Sequence, residues 1–542
     1  MSKSRSRSRL TRSGVALLLA AALAACSSVG SSSPSGDRSQ DVGTTADNVK
    51  DGGTLTMALS AEPDFLDPTL AGSFYSRYVF NAMCEKLYDL NASVRIVPQL
   101  AASLPTTSKD GRTVTIKLRQ GVKFADGTTM NSSAVKISLE RDLNNPQSAR
   151  VTELGPITSI DTPDASTVVI HLKTPFAPLT AALADRAGMV MSPTQLKKLG
   201  DKFGTDPVCV GPFKFASRVP QNSITLVKDP NYYDADKVHL DKIVYRIITD
   251  SAIRAANLKS GDVQVADTVG TNDVSSIKSD SSLQMLESES LGYQGLTFNV
   301  GNTAGVGKPP GKIQAPYAQD PRIRQAFEYA IDRKALVKTV FDGQFDPACG
   351  PIAPESQFST PAVQKCRPYD PDKAKQLLQQ AGVPVPYQLN MLVTNTPDSL
   401  QFAQALQAMV KPAGFDLKLQ PLEFTTLLDQ QDQGKFQLLQ LGWSGRVDPD
   451  ANITNFVGTQ GSQNVAGYSS PKVDQLLAQA RETQDVAQRA RLYGQVQTQT
   501  EVDDPIIYIY RQRNLTGVSK DVSGVQVYPD GIIRVAFAGY AK

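Results

Sequence analysis

Asp320-Pro321-Arg322-Ile323-Arg324-Gln325-Ala326-Phe327-Glu328-Tyr329-Ala330-Ile331-Asp332, running on to Phe341 and Gly343, is written in the grammar of a helix. Asp320 suits the N-cap, where its carboxylate accepts from main-chain N–H groups, and Pro321 suits the first turn, where its missing N–H costs nothing. Ile323, Phe327, Ala330 and Ile331 recur at helical spacing, and Gly343 can close the end. The spacing predicts a helix from Pro321 to Phe341. The same grammar returns at Asp370-Pro371, with Ala374, Leu377, Leu378 and Ala381 ended by Gly382, and at Ser470-Pro471, with Val473, Leu476, Leu477 and Ala480. Between such runs lie short alternating strands: Thr54–Leu59, Val114–Leu118, Val168–Leu172, Ile224–Val227, Ile243–Ile248, Leu417–Leu419 and Ile506–Tyr510. Strands and helices mixed over this length indicate an α/β chain with more than one sheet and more than one core.

The first residues speak to the compartment. Lys3, Arg5, Arg7, Arg9 and Arg12 form a basic stretch with no acidic residue, and an apolar run from Gly14 to Ala25 follows. That run is too short for a membrane helix and matches a secretory signal over residues 1–25. It ends in Leu23-Ala24-Ala25-Cys26, the bacterial lipobox pattern, in which Cys26 carries diacylglycerol and anchors the chain to the cell membrane. Residues 26–51 are Ser/Gly-rich and read as a flexible tether, so the fold is expected to begin near Gly52. Without the five basic residues of the signal, 51 Lys and Arg face 53 Asp and Glu, a net of −2. No basic block remains, which argues against nucleic acid as a partner.

Four cysteines remain in an oxidising compartment, and an even number there favours two disulfides. Four cysteines allow three connectivities. The short Pro-containing loop between Cys349 and Cys366 favours that pair, and hence Cys84–Cys209. The two histidines, His171 and His239, are far apart in sequence and no close cysteine pair exists, so neither metal nor cofactor is expected.

Enzyme readings find little support. The phosphate-binding loop Gly-x-x-x-x-Gly-Lys-Ser/Thr is absent, as is Gly-x-Gly-x-x-Gly. Ser133-Ala134-Val135-Lys136 matches the Ser-x-x-Lys of penicillin-recognising acyl enzymes, but Ser275-Ser276-Ile277-Lys278 matches it equally, and neither Ser-Asp-Asn nor Lys-Thr-Gly accompanies them. A lipid-anchored cell-wall acyl enzyme using Ser133 and Lys136 is thus the rival from a different class.

Several separated segments together resemble the family-5 extracytoplasmic solute-binding proteins of peptide, dipeptide and nickel importers. They are Glu62-Pro63-Asp64-Phe65-Leu66-Asp67-Pro68 leading to Tyr78–Tyr88, Phe124–Met130 with Ala134-Val135-Lys136, Gly211–Phe215 with Asp229–Tyr233, Arg322–Asp332, and Tyr369–Gly382. Their order and spacing run from about residue 52 to 512. The resemblance implies a two-lobed periplasmic-binding-protein-like fold that closes on a peptide or peptide-like solute and hands it to an ABC importer permease, with no catalysis and as a monomer. Lobe I is expected at 52–295 plus 510–542, with a subdomain at about 95–205, and lobe II at 296–509. Opine-like or sugar-like compounds and metal chelates are the rival ligands, and sensing is a rival role to uptake.

The resemblance places the ligand site at Leu441–Asp450. Trp443 is the single tryptophan of the chain, a large face with one N–H donor. The glycines beside it, Gly442 and Gly445, let main chain approach a ligand, and Ser444 is a candidate contact with Gly445. Peptide-binding relatives carry an aspartate three residues after this tryptophan to hold the peptide amine; here that position is Arg446. An arginine suits a carboxylate or phosphate. Asp448 or Asp450 could take the amine role, and Arg446 either contacts the ligand or pairs with Asp448. Phe74, Tyr75 and Tyr293 are further candidate contacts from the opposite lobe and the crossover.

Overall fold

The computed structural model describes residues 42–542; the expected signal peptide, the expected lipidation site Cys26 and most of the expected tether lie outside them. Residues 42–51, expected to belong to the tether, join the fold instead. Val49–Lys50 pairs antiparallel with Tyr540–Ala541, Thr44 N donates to Val525 O, and Val49 is buried. Two valines and an open strand edge near the C-terminus draw this stretch in despite its polar composition.

Two large sheets organise the rest. A seven-stranded mixed sheet runs in the order Leu283–Ser288, Asn514–Ser519, Val265–Ala266, Thr54–Leu59, Lys242–Ile247, Ser223–Lys228, Phe213–Val219. Its centre is parallel: Thr54–Leu59, with Leu55, Met57, Ala58 and Leu59 all fully buried, lies between two strands in the same direction. A six-stranded sheet runs Asp346–Pro347, Ile506–Arg511, Tyr293–Phe298, Leu438–Trp443, Tyr387–Thr394, Phe415–Leu422. A smaller antiparallel sheet, Thr106–Thr107, Thr113–Lys117, Thr167–Leu172 and Ile157–Asp164, stands apart from both.

The chain passes between the two large sheets twice. It leaves the seven-stranded sheet at Ser288 and enters the six-stranded one at Tyr293, then returns from Arg511 to Asn514. These short crossings, 289–292 and 512–513, join the two lobes. One apolar core holds Leu55, Tyr88, Phe124, Ile170 and Tyr245. A second holds Phe298, Phe327, Met391 and Ile509 and extends to Leu258 and Ile277 beside the seven-stranded sheet, so apolar packing is continuous across the crossings. Disulfides Cys84–Cys209 and Cys349–Cys366 tie the helix Phe74–Met83 and the loop ahead of Pro371 into their surroundings.

The stretch expected as one helix is two, Pro321–Tyr329 and Arg333–Phe341. Asp332 caps the second by accepting from Ala335 N at 3.0 Å, and an N-cap takes extended backbone, which a continuous helix excludes. The helices Pro371–Gln380 and Pro471–Glu482 start on Asp370 and Ser470. No helix among the described residues is long and apolar enough to cross a membrane.

Candidate functional site

A cavity of about 280 Å³ lies where the lobes meet. The seven-stranded side supplies Phe74, Tyr75, Arg254 and Thr268; the six-stranded side supplies Gln440, Trp443, Ser444 and Asp398; the crossings supply Ser290 and Arg513. The lobes are in contact around it. Ala177 N donates to Arg481 O at 2.8 Å, Ser251 Oγ reaches Asp398 at 3.3 Å, and the Tyr75 and Phe424 rings meet edge to face at 5.9 Å.

Phe74 and Tyr75 open the helix Phe74–Met83, whose cap Ser73 accepts from Tyr75 N. Asp64 fixes that turn by accepting from Gly72 N, Ser73 N and Ser76 Oγ, which sets both rings on the cavity wall.

Trp443 ends the strand Leu438–Trp443 directly opposite Tyr293. Its Nε1–H donates to Asn452 at 2.9 Å, and its ring stands edge-on to Phe456. Tyr293, 4% exposed, packs on Phe456 and Tyr508, and its hydroxyl has no hydrogen-bond partner. The loop after Trp443 rests on the first crossing. Gly445 has φ +79°, and a Cβ there would lie 2.3 Å from Leu291 C. Only glycine permits that approach.

Arg446 departs from the expected pairing. Its partner is Asp185 of the other lobe, met by Nε, and not Asp448. Its guanidinium lies 4.3 Å from the Trp443 ring centre and donates to Ser444 Oγ and Gly445 O. Asp448 caps the helix Pro449–Val457 and takes two hydrogen bonds from Arg489, at 2.8 and 2.7 Å. Asp450 takes two from Arg481 and one from Thr454. Both carboxylates offered as alternatives for holding a ligand amine are therefore engaged with arginines. Burial by itself would raise the Asp185 carboxyl, but Arg446, Arg77, Arg186 and Arg150 outweigh it and hold the group well below the usual range. Burial lowers Arg446 to about 10, against the opposing pull of Asp185.

The residue-level expectations thus divide. Phe74, Tyr75, Tyr293, Trp443 and Ser444 meet at the cavity, whereas Arg446, Asp448 and Asp450 line a small neighbouring space beside Arg77 and Asp185. Sequence reasoning missed Asp185, Asp398, Gln440 and Arg513. Their positions carry no local motif, and only the tertiary fold brings them to the cleft. Ser133 and Lys136, the pair behind the acyl-enzyme reading, lie on the helix Ser132–Asn144, with Ser133 exposed and Lys136 facing Glu140 at 3.7 Å.

Two lobes joined by paired crossings, with a cavity enclosed between them, define a binding protein of the periplasmic type. Residues 95–464 match the family described as bacterial extracellular solute-binding proteins, family 5 (middle). The chain belongs to that family, whose members serve ABC importers. It is 30% identical over 479 residues to the glutathione-binding protein GsiB of Pectobacterium atrosepticum, covering 86% of this chain and 90% of that protein. Among solved structures, AgaA from A. tumefaciens R10 in complex with agropinic acid is 29% identical with a TM-score of 0.79, covering 90% of this chain and 96% of that one. DppA from Helicobacter pylori in complex with the peptide STSA is 25% identical with a TM-score of 0.80, covering 91% and 99%.

Proposed function

We propose that this protein captures a peptide or peptide-like solute in the cavity between its lobes and delivers it to an ABC importer permease. The observation that carries the reading is the cavity itself, walled from both lobes and from both crossings. Such a site desolvates its ligand on closing, and rotation about the crossings releases it. In this reading lobe I comprises 42–288 plus 514–542 and lobe II comprises 293–511, so the boundaries expected at 295 and 510 move to the crossings 289–292 and 512–513. Phe74, Tyr75, Trp443 and Ser444 contact the solute. The protein acts as a monomer without covalent chemistry, held at the membrane through Cys26.

The relatives support the ligand class from two directions. GsiB is named for glutathione, and DppA holds a peptide. AgaA, of comparable identity, holds agropinic acid, which keeps an opine-like solute as the second reading.

A thermal-shift screen of peptides, glutathione, opines, sugars and nickel chelates tests this. A solute at 1,000 times its Kd adds about 4 kcal/mol to stability and raises the melting temperature. A response confined to sugars or nickel chelates would sink the peptide reading. For the anchor, Cys26→Ala is expected to abolish incorporation of labelled palmitate and release the protein from the membrane. Labelling that survives the substitution would refute lipidation there.

A further inference from the structure

The cavity wall carries two guanidiniums in opposite circumstances. Arg254 donates to the main-chain oxygens of Ile248, Thr249, Asp267 and Thr268 and stands 3.5 Å from the Asp267 carboxylate. Its hydrogen-bonding capacity is used by the fold. Arg513, in the second crossing, has a side chain only 3% exposed. Glu287 and Glu289 each stand 3.8 Å from it, beyond hydrogen-bond reach, and its Nε and Nη2 have no hydrogen-bond partner. A buried cation whose N–H groups go unmatched is costly, and native structures keep few of them.

Gln440 repeats the pattern on the facing lobe. It lines the same cavity, is 6% exposed, and its Oε1 has no partner. The single carboxylate on the wall, Asp398, sits in the first turn of the helix Pro397–Val410 with Ser251 beside it. Among the described lining residues, then, the buried polar groups without a partner are the Arg513 guanidinium donors on a crossing, the Gln440 amide oxygen on the six-stranded sheet and the Tyr293 hydroxyl beside it.

We propose that Arg513 is the anion anchor of the solute: the ligand carries a carboxylate that the Arg513 guanidinium receives, and an N–H or O–H that Gln440 accepts. This rests on the reading that the solute occupies this cavity. A planar guanidinium offers paired donors matched to the two oxygens of a carboxylate, so charge and shape select together. Its position gives the contact a second effect. A ligand bound to Arg513 is bound to the segment that joins the lobes, so anion binding and lobe geometry are coupled through one residue.

The test is calorimetry with trialanine, its C-terminal amide, its N-acetyl form, glutathione and a set of uncharged sugars. The free acid is expected to bind at least tenfold tighter than the amide, and N-acetylation to matter less. Arg513→Gln should weaken the acid at least tenfold and bring acid and amide within twofold of each other. Arg513→Lys should keep part of the preference. Without ligand, Arg513→Gln should melt no lower than the native protein, because it removes a buried cation that lacks hydrogen bonds. Equal binding of acid and amide, a preference that survives Arg513→Gln, or a ligand-free variant melting several degrees lower each overturns the anchor. Binding confined to uncharged sugars overturns the anchor and leaves the cavity reading intact. Absence of binding by every compound overturns both.

Discussion

The loop after Trp443 and the crossing at 512–513 each carry an arginine at the junction of the lobes, Arg446 part-buried and Arg513 buried, and the two are treated differently. Arg446 stacks on an indole, donates twice through Nη1 within its own loop and forms an ion pair through Nε with Asp185 across the cleft, leaving Nη2 without a hydrogen-bond partner. Asp448 and Asp450 nearby are likewise matched by Arg489 and Arg481. Arg513 has carboxylates near it but none within bonding distance. Charges satisfied by the fold hold the fold, and a charge left open is available to something that arrives from outside. The distinction depends on hydrogen bonds rather than on residue type, which the two sites share.

Breaking a closed pair gives the largest expected effect. Asp448→Ala strands Arg489 in the interior and removes a helix cap, a loss of about 3–5 kcal/mol in unfolding free energy by denaturant titration. A loss below about 1 kcal/mol would mean that the closed network carries no stability.

Asp142 sharpens the comparison from the side of a carboxylate with no ion pair. It accepts from Thr69 Oγ1, its other oxygen has no hydrogen-bond partner, and burial pushes it up to about 8 against the lowering effects of Thr69, Arg150 and Arg141. Because the folded value lies above the unfolded one, its contribution is complete below about pH 4 and is lost as pH rises towards 8. Asp142→Asn should therefore gain on the native protein across that window, by about 1–3 kcal/mol at its upper end. Parallel stability curves from pH 4 to 8 would contradict this.

Arg446→Ala should weaken charged and uncharged solutes by the same factor, about tenfold or 1.4 kcal/mol, because it acts by making closure less favourable. Asp185→Ala should do the same, and the double variant should lose little more than either alone. A loss restricted to carboxylate-bearing solutes would return Arg446 to direct contact. Smallest of all, Ser133→Ala and Lys136→Ala should change stability by no more than about 0.5 kcal/mol, and radiolabelled penicillin should not acylate the native protein. Stoichiometric acylation at Ser133 would reopen the enzyme reading.

Much of the fold was readable because its signals are local. Capping residues with following prolines placed helices at Pro371–Gln380 and Pro471–Glu482, and alternation placed the central strand Thr54–Leu59. The split at Asp332 was within reach of the same capping rule, but apolar spacing through Ile331 masked it. The site divides similarly. Trp443 stands out in the sequence, and its strand neighbours follow from it. Asp185 lies 261 positions before Arg446 and meets it only because the lobes close on each other. Arg513 is inconspicuous in sequence, since its significance lies in contacts it fails to make, and absent contacts leave no trace in a chain of letters.

The placement of Trp443 has an optical consequence. The chain contains one indole, so its fluorescence has a single source. That source lies against Phe456, with a guanidinium over its face that reaches the opposite lobe. Opening the cleft would pull Asp185 away from that guanidinium and admit water beside the ring. Emission wavelength and quenching by iodide would then follow the movement of the lobes in the unmodified protein. A residue on the cavity wall thus also supplies a label-free clock for the movement of the lobes.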